Sequence, residues 1–154
     1  MAVPDNPHIQ EARMKQVLVP VDGSEHALAA VRAVLNAQLY PSLERVHLAT
    51  AQVPLYPQGV HMGLSQTEID AYYREESEFA LAGAQKLLEA AGVPYETHSE
   101  LGQVAETLVD LAKRLDVDEI VMGSRGLGSI SSVMLGSVAT KVLHLAETPV
   151  TLVK

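Results

Sequence analysis

Three glycines and a serine carry the pattern in this chain best suited to chemistry. Val121 to Thr140 reads VMGSRGLGSISSVMLGSVAT, with Gly123, Gly126 and Gly136 followed directly by Ser137. The stretch opens as the end of an apolar run, Glu119-Ile-Val-Met122. After Ser137 it turns helical, with Val138, Val142 and Leu145 three to four residues apart. That order is a strand, a glycine–serine loop and a helix start. Glycine lets a backbone approach a ligand closely. The first N–H groups of a helix lack intrahelical partners and sit at the positive end of its dipole. Phosphate suits such a place. The plainer reading of the same glycines is a tight turn between strand and helix.

The spacing says more than the composition. Gly123, two residues, Gly126, nine residues, Gly136 and then Ser137 resembles the ATP-binding signature of the universal stress protein family. The resemblance runs from about Lys15 to Lys154. It includes Val17-Leu-Val-Pro-Val-Asp22-Gly-Ser24 and Thr148-Pro-Val-Thr-Leu-Val153. It implies a five-stranded parallel sheet of order 3-2-1-4-5, on the adenine nucleotide alpha-hydrolase plan. Strands one and four are then neighbours, and Pro20-Val21-Asp22 faces Met122-Gly-Ser-Arg125-Gly126 across the crevice between them. Ligands of such sheets bind beyond the carboxyl ends of the strands, where the winding direction switches.

The resemblance also implies a division of labour. Adenine lies against the ends of the first two strands, near Val21, Ala51 and Gln52, where exposed backbone groups can read its edge. Asp22 lies close to the nucleoside and accepts from a ribose hydroxyl; the alternative is a turn residue capping the first helix. Gly123, Gly126, Gly136, Ser137 and Val138 offer N–H groups to the phosphates of ATP, ADP or AMP. A two-fold homodimer through the last strand is implied as well. The chain departs from the family in one span. Many members carry basic residues between the second and third glycines, whereas Leu127 to Leu135 here has no charge and Arg125 is the loop's one cation. A divalent ion, Mg²⁺, is expected to matter for holding a triphosphate.

Stepwise patterning supplies the elements that position these residues. Residues 1–14 are polar with two prolines and read as a loose arm; residues 15–154 form one domain. Strands are expected at Gln16–Val21, Arg45–Val53, Val93–Leu101, Asp118–Met122 and Val150–Val153. The third, the least apolar, belongs at a sheet edge. Helices are expected from Ser24 to about Leu39, over Gln66–Ala91 and Val104–Leu115, and from Ser137 to about Glu147. Ser24 is the N-cap of the first, and Gly92 ends the second. Along the second, Ile69, Tyr72, Tyr73, Phe79, Leu81, Ala84, Leu87 and Leu88 roughly keep helical spacing. Alternation of strands and helices argues for an α/β sandwich.

Composition excludes several classes. The chain has 154 residues, a formal charge of −8 and no cysteine, so disulfide and thiolate chemistry are absent. The acidic balance opposes nucleic acid and anionic lipid. With one Phe, five Tyr and no Trp, a base-stacking platform is not expected. No apolar run reaches membrane-span length, and the first residues do not resemble a secretory signal, so cytoplasmic residence is the expectation. There is no Gly-x-x-x-x-Gly-Lys-Ser/Thr, no Gly-x-Ser-x-Gly and no His-Glu-x-x-His. His47 reads as a lone side chain at the sheet surface rather than a ligand, His26 as a solvated helix residue rather than a base beside the loop, and His61 has no partner at metal-ligand spacing. The first reading is a nucleotide-binding stress-response or signalling protein with slow or absent turnover. The alternative is an adenylyl-transferring or ATP-hydrolysing enzyme of the same architecture.

Overall fold

The structure, a computed structural model, describes residues 15–57, 63–127 and 134–154. The arm at residues 1–14, His61, and Gly128 with the serines at 129, 131 and 132 lie outside the described residues. The elements run β1 (Lys15–Pro20), α1 (Glu25–Val34), β2 (Leu43–Gln52), α2 (Gln66–Ala91), β3 (Tyr95–Leu101), α3 (Val104–Leu115), β4 (Glu119–Gly123), α4 (Ser137–Leu145) and β5 (Val150–Val153). The strands form one parallel sheet of order β3-β2-β1-β4-β5, as the resemblance implied.

Two cores cover the two faces. Strand side chains alternate, so Val17, Val19, Val46, Leu48 and Val121 point one way and Leu18, Ala49, Ile120 and Met122 the other. The first set packs under α1 and α2, against Val31, Val34, Leu81, Ala84 and Leu88. The second packs under α3 and α4, against Leu108, Leu111, Ala112, Ala139 and Val142. Near-continuous apolar strands are what burial on both faces demands.

Local chemistry sets the ends. Ser24 Oγ accepts from the Ala27 N–H at 3.2 Å and caps α1. Ser65 and Glu68 form a reciprocal capping box at the start of α2. Gly92, with φ of 66°, closes that helix in the left-handed conformation. α1 is shorter than its periodicity suggests. It stops at Val34 rather than Leu39, because Asn36 captures the next stretch of backbone. Its Oδ1 accepts from the Gln38 N–H, and its carbonyl accepts from Leu39 and Tyr40. α4 ends at Leu145 rather than Glu147, the chain turning extended at Ala146.

The buried face of α2 also differs from the simplest apolar stripe. Ser77 is buried in it, bonded to Gln52, while Phe79 is 64 % exposed. His47 is no lone surface residue. It is 4 % exposed, with His98 and Gln16 each 3.1 Å from one of its ring nitrogens. Burial, and then the neighbouring His98, lower its pKa from the ordinary histidine value.

Tyr40 gives a check on this packing. Its hydroxyl donates to Glu119 Oε1 at 3.2 Å. Burial first, and then the Glu119 charge, push its pKa up to about 12. A raised folded-state pKa contributes stability that is whole below the ordinary value of 10.0 and is lost as pH climbs through about 12. Urea denaturation at stepped pH should therefore show wild type losing stability faster than Tyr40→Phe over that window. A parallel loss in both proteins would contradict the burial of this phenol.

Candidate functional site

β1 and β4 pair at only two register positions, Val17 with Glu119 and Leu18 with Ile120. β1 stays with β2 to its end, and the Val21 N–H still donates to the Ala49 carbonyl at 2.8 Å. β4 meanwhile follows β5 to Gly123, and Ser124 N–H donates to Val153 at 2.8 Å. The carboxyl halves of the two central strands therefore part. A cavity of about 370 Å³ opens there.

Most residues expected at the site line that cavity. Pro20, Val21 and Asp22 come from the end of β1, and Ala51 from β2. Met122, Gly123, Arg125 and Gly126 come from β4 and the turn after it. Gly136, Ser137 and Val138 come from the start of α4. Gln52 stands elsewhere. Its neighbour Ala51 faces the cavity, so strand alternation turns Gln52 to the opposite face. There its amide donates to Ser77 Oγ at 2.8 Å and to the Tyr73 carbonyl at 3.1 Å. Its own carbonyl accepts from Gly102 N–H at 2.9 Å.

The lining also holds residues that sequence reasoning did not single out. Thr50 reaches it from β2, and Val104 and Leu108 from the first turns of α3. Leu127 and Leu135 flank the glycine loop, and Ala139 follows on α4. Val104 and Leu108 read as ordinary core positions of an amphipathic helix. The signal for Leu127 and Leu135 was present: two large apolar residues beside a glycine-rich turn, both exposed in the structure.

The glycines are required by close approach. A Cβ at Gly123 would stand 2.6 Å from the His26 carbonyl oxygen, so the first turn of α1 lies against β4 here. A Cβ at Gly126 would stand 2.5 Å from Asp22 Oδ2. That carboxylate spans the crevice. Oδ1 accepts from Ser24 N–H and Oδ2 from Leu127 N–H, each at 2.9 Å. Asp22 is thus a turn residue at the start of α1 and also a clasp on the glycine loop. Hydrogen bonds to a charged group contribute roughly 1.5–3 kcal/mol.

The start of α4 has no side-chain cap, its N-cap being Gly136. The Gly136 N–H is used by the Ser124 carbonyl at 2.8 Å, which fixes the entry to the helix. The first-turn N–H groups after it lie beside the cavity, at the positive end of the dipole. Among the described lining residues, Asp22 is the one carboxylate and Arg125 the one permanent cation.

Residues 14–154 match the model of the universal stress protein family. The chain belongs to that family. It is 36 % identical over 146 residues to a universal stress protein of Thermus aquaticus, covering 91 % of this chain and 98 % of that one. It is 33 % identical over 152 residues to one of Mycolicibacterium smegmatis, covering 94 % of this chain, and there it spans half the relative's length. Among solved structures, hypothetical protein MJ0577 superposes with a TM-score of 0.76 at 29 % identity, covering 92 % of this chain and 96 % of that one. A universal stress protein in complex with cAMP superposes with a TM-score of 0.58 at 30 % identity, covering 91 % and 96 %. Structural relatives in the family thus bind adenine nucleotides, and one from Archaeoglobus fulgidus is in complex with dAMP.

The close approach at Gly123 has a measurable consequence. Gly123→Ala forces either β4 or the first turn of α1 to move, since the opposing atom is backbone. Equilibrium urea unfolding should show a loss of about 1–3 kcal/mol, the usual cost of overpacking. An unchanged midpoint would mean the two elements are not in contact.

Proposed function

We propose that the cavity takes an adenine nucleotide, ATP or its ADP and AMP forms. The chain then acts in the cytoplasm as a nucleotide-dependent stress-response or signalling homodimer with little or no turnover. The observation that carries this reading is the parting of β1 and β4 over a cavity where Gly123 and Gly126 leave no room for a Cβ. The lining fits the group. Met122, Val104 and Leu108 give an apolar wall for a base. The uncapped first turn of α4 gives amide donors for phosphate. In the proposed complex, Val21 and Ala51 border the base and Asp22 lies at the ribose. Gly123, Gly126, Gly136, Ser137 and Val138 present amides to the phosphates. ATP would supply the polyanion that ties the glycine loop to α4.

Little turnover follows from the same lining. Asp22 is the one carboxylate available as a general base among the described lining residues, and both its oxygens already accept backbone hydrogen bonds. Neutralisation is sparse as well. Arg125 and an uncharged stretch from Leu127 to Leu135 leave much of a triphosphate's charge unmatched, so Mg²⁺ has that part to play.

Calorimetry on nucleotide-stripped protein tests the reading. Titration with ATP and Mg²⁺ should give micromolar affinity, and a chelator should weaken it at least tenfold. Equal binding with and without chelator would remove the role of the ion, and a flat trace into the millimolar range would remove the nucleotide. Labelled ATP should be recovered intact after incubation; rapid release of phosphate or pyrophosphate would favour the enzymatic alternative.

The dimer rests on β5, which ends the sheet. The Pro149 and Val153 carbonyls accept from β4, so Val150 and Leu152 turn their backbone groups to the open side. An apolar strand with an unpaired rim invites a second strand. Sedimentation should find wild type dimeric and Leu152→Pro monomeric, since proline removes an outward N–H. A variant that stays dimeric would place the interface elsewhere.

A further inference from the structure

We propose that His47, His98 and Glu96 form a binding site for one divalent transition-metal ion of zinc's class, on β2 and β3 and outside the lining of the nucleotide cavity. The three residues lie on neighbouring strands. His47 pairs in register with Glu96, and Ala49 with His98, so both β3 residues share the face that carries His47. One nitrogen from each imidazole and one carboxylate oxygen all lie within 4.8 Å of one another. His47 stands two residues before Ala49, the first β2 residue of the cavity wall, about 7 Å along the strand.

The separations suit a small tetrahedral ion. His47 Nδ1 lies 3.1 Å from His98 Nε2 and 3.7 Å from Glu96 Oε2. Two ligands bound at zinc's usual distances stand roughly 3.3 Å apart across a tetrahedral edge. Small side-chain rotations therefore bring the three donors onto one centre. Two imidazoles and a carboxylate select zinc and its neighbours over Mg²⁺ or Ca²⁺, and leave a fourth position for water.

The surroundings prepare each donor. Gln16 Oε1 faces His47 Nε2 at 3.1 Å. An amide oxygen there places the proton on Nε2 and the lone pair on Nδ1, toward the centre of the cluster. Arg45 pairs with Glu96 through Oε1, which leaves Oε2 as the oxygen turned toward His47. The lone pair of Nδ1 makes His98 Nε2–H the donor in the metal-free pair. On binding, the ion takes that position and His98 ligates through Nε2 as its Nδ1–H tautomer. Behind His98 on the same strand face, Glu100 is paired to Arg114 of α3 at 3.1 Å and is not competing for the ion.

The full chain, dialysed against chelator, is titrated with Zn²⁺ by calorimetry and by competition with a chromophoric chelator. One ion per chain should bind. Melting temperature should rise by roughly 5–10 °C at zinc about a hundredfold above Kd. His98→Ala and Glu96→Gln sit on the edge strand, and each should weaken binding at least tenfold and shrink the thermal rise. Gln16→Ala, which touches no metal, should weaken it by about 10–100-fold. His144→Ala, on α4, should change nothing. Co²⁺ in place of zinc should give the intense visible bands of a four-coordinate site. Binding by folded His98→Ala and Glu96→Gln at wild-type affinity would overturn the site, as would wild type that takes up less than one equivalent at micromolar zinc.

Discussion

The structure depends on how far β1 and β4 stay together. Their backbones are bonded through Leu18 and Ile120 and no further. Each then follows its outer neighbour, β1 with β2 and β4 with β5. A sheet that reverses its winding at the centre must have such a gap, because the connections leaving the two strands depart to opposite sides. Everything at the candidate site follows from it. α1 enters on one side and presses its first turn against Gly123. The loop after β4 returns over the gap, and Asp22 holds it there by the Leu127 N–H.

In the proposed function, this arrangement lets an acidic molecule receive an anion. The charge of −8 works against any phosphate at long range. Over a few ångströms the local field matters more, and here it comes from amide dipoles at the start of α4. Among the described lining residues Arg125 adds one cation, and Asp22 accepts from two backbone N–H groups. Recognition by main chain, as proposed, would also explain why the informative residues were small ones. The glycines matter for the space that they do not fill.

Much of this was legible from the sequence, and the exceptions have physical causes. α2 and α3 begin and end where their periodicity, caps and Gly92 placed them, because those signals are local. α1 was overextended because the apolar spacing continues past Val34 while Asn36 rewrites the hydrogen bonding. Strand order came through the resemblance; hydrophobic alternation says which face a residue takes, and nothing about its neighbours. At Gln52 period-two geometry turns the side chain to the face opposite Ala51, where it meets Ser77 and Tyr73. His47 shows a limit of sequence reading. Its partner His98 is 51 residues distant in the chain, and only the β2–β3 register brings the two rings together.

The two rims of the sheet are unlike. β3 reads Tyr95-Glu-Thr-His-Ser-Glu-Leu101, with polar or ionisable side chains on both faces through its middle. Such a strand is a poor template for another chain. β5 is short and apolar by comparison. A molecule with two adhesive borders can polymerise without limit, each addition exposing a fresh end. If β5 pairs as proposed, it is a single adhesive border, growth by strand addition terminates at the first encounter, and the polar margin acts as a guard against fibre formation.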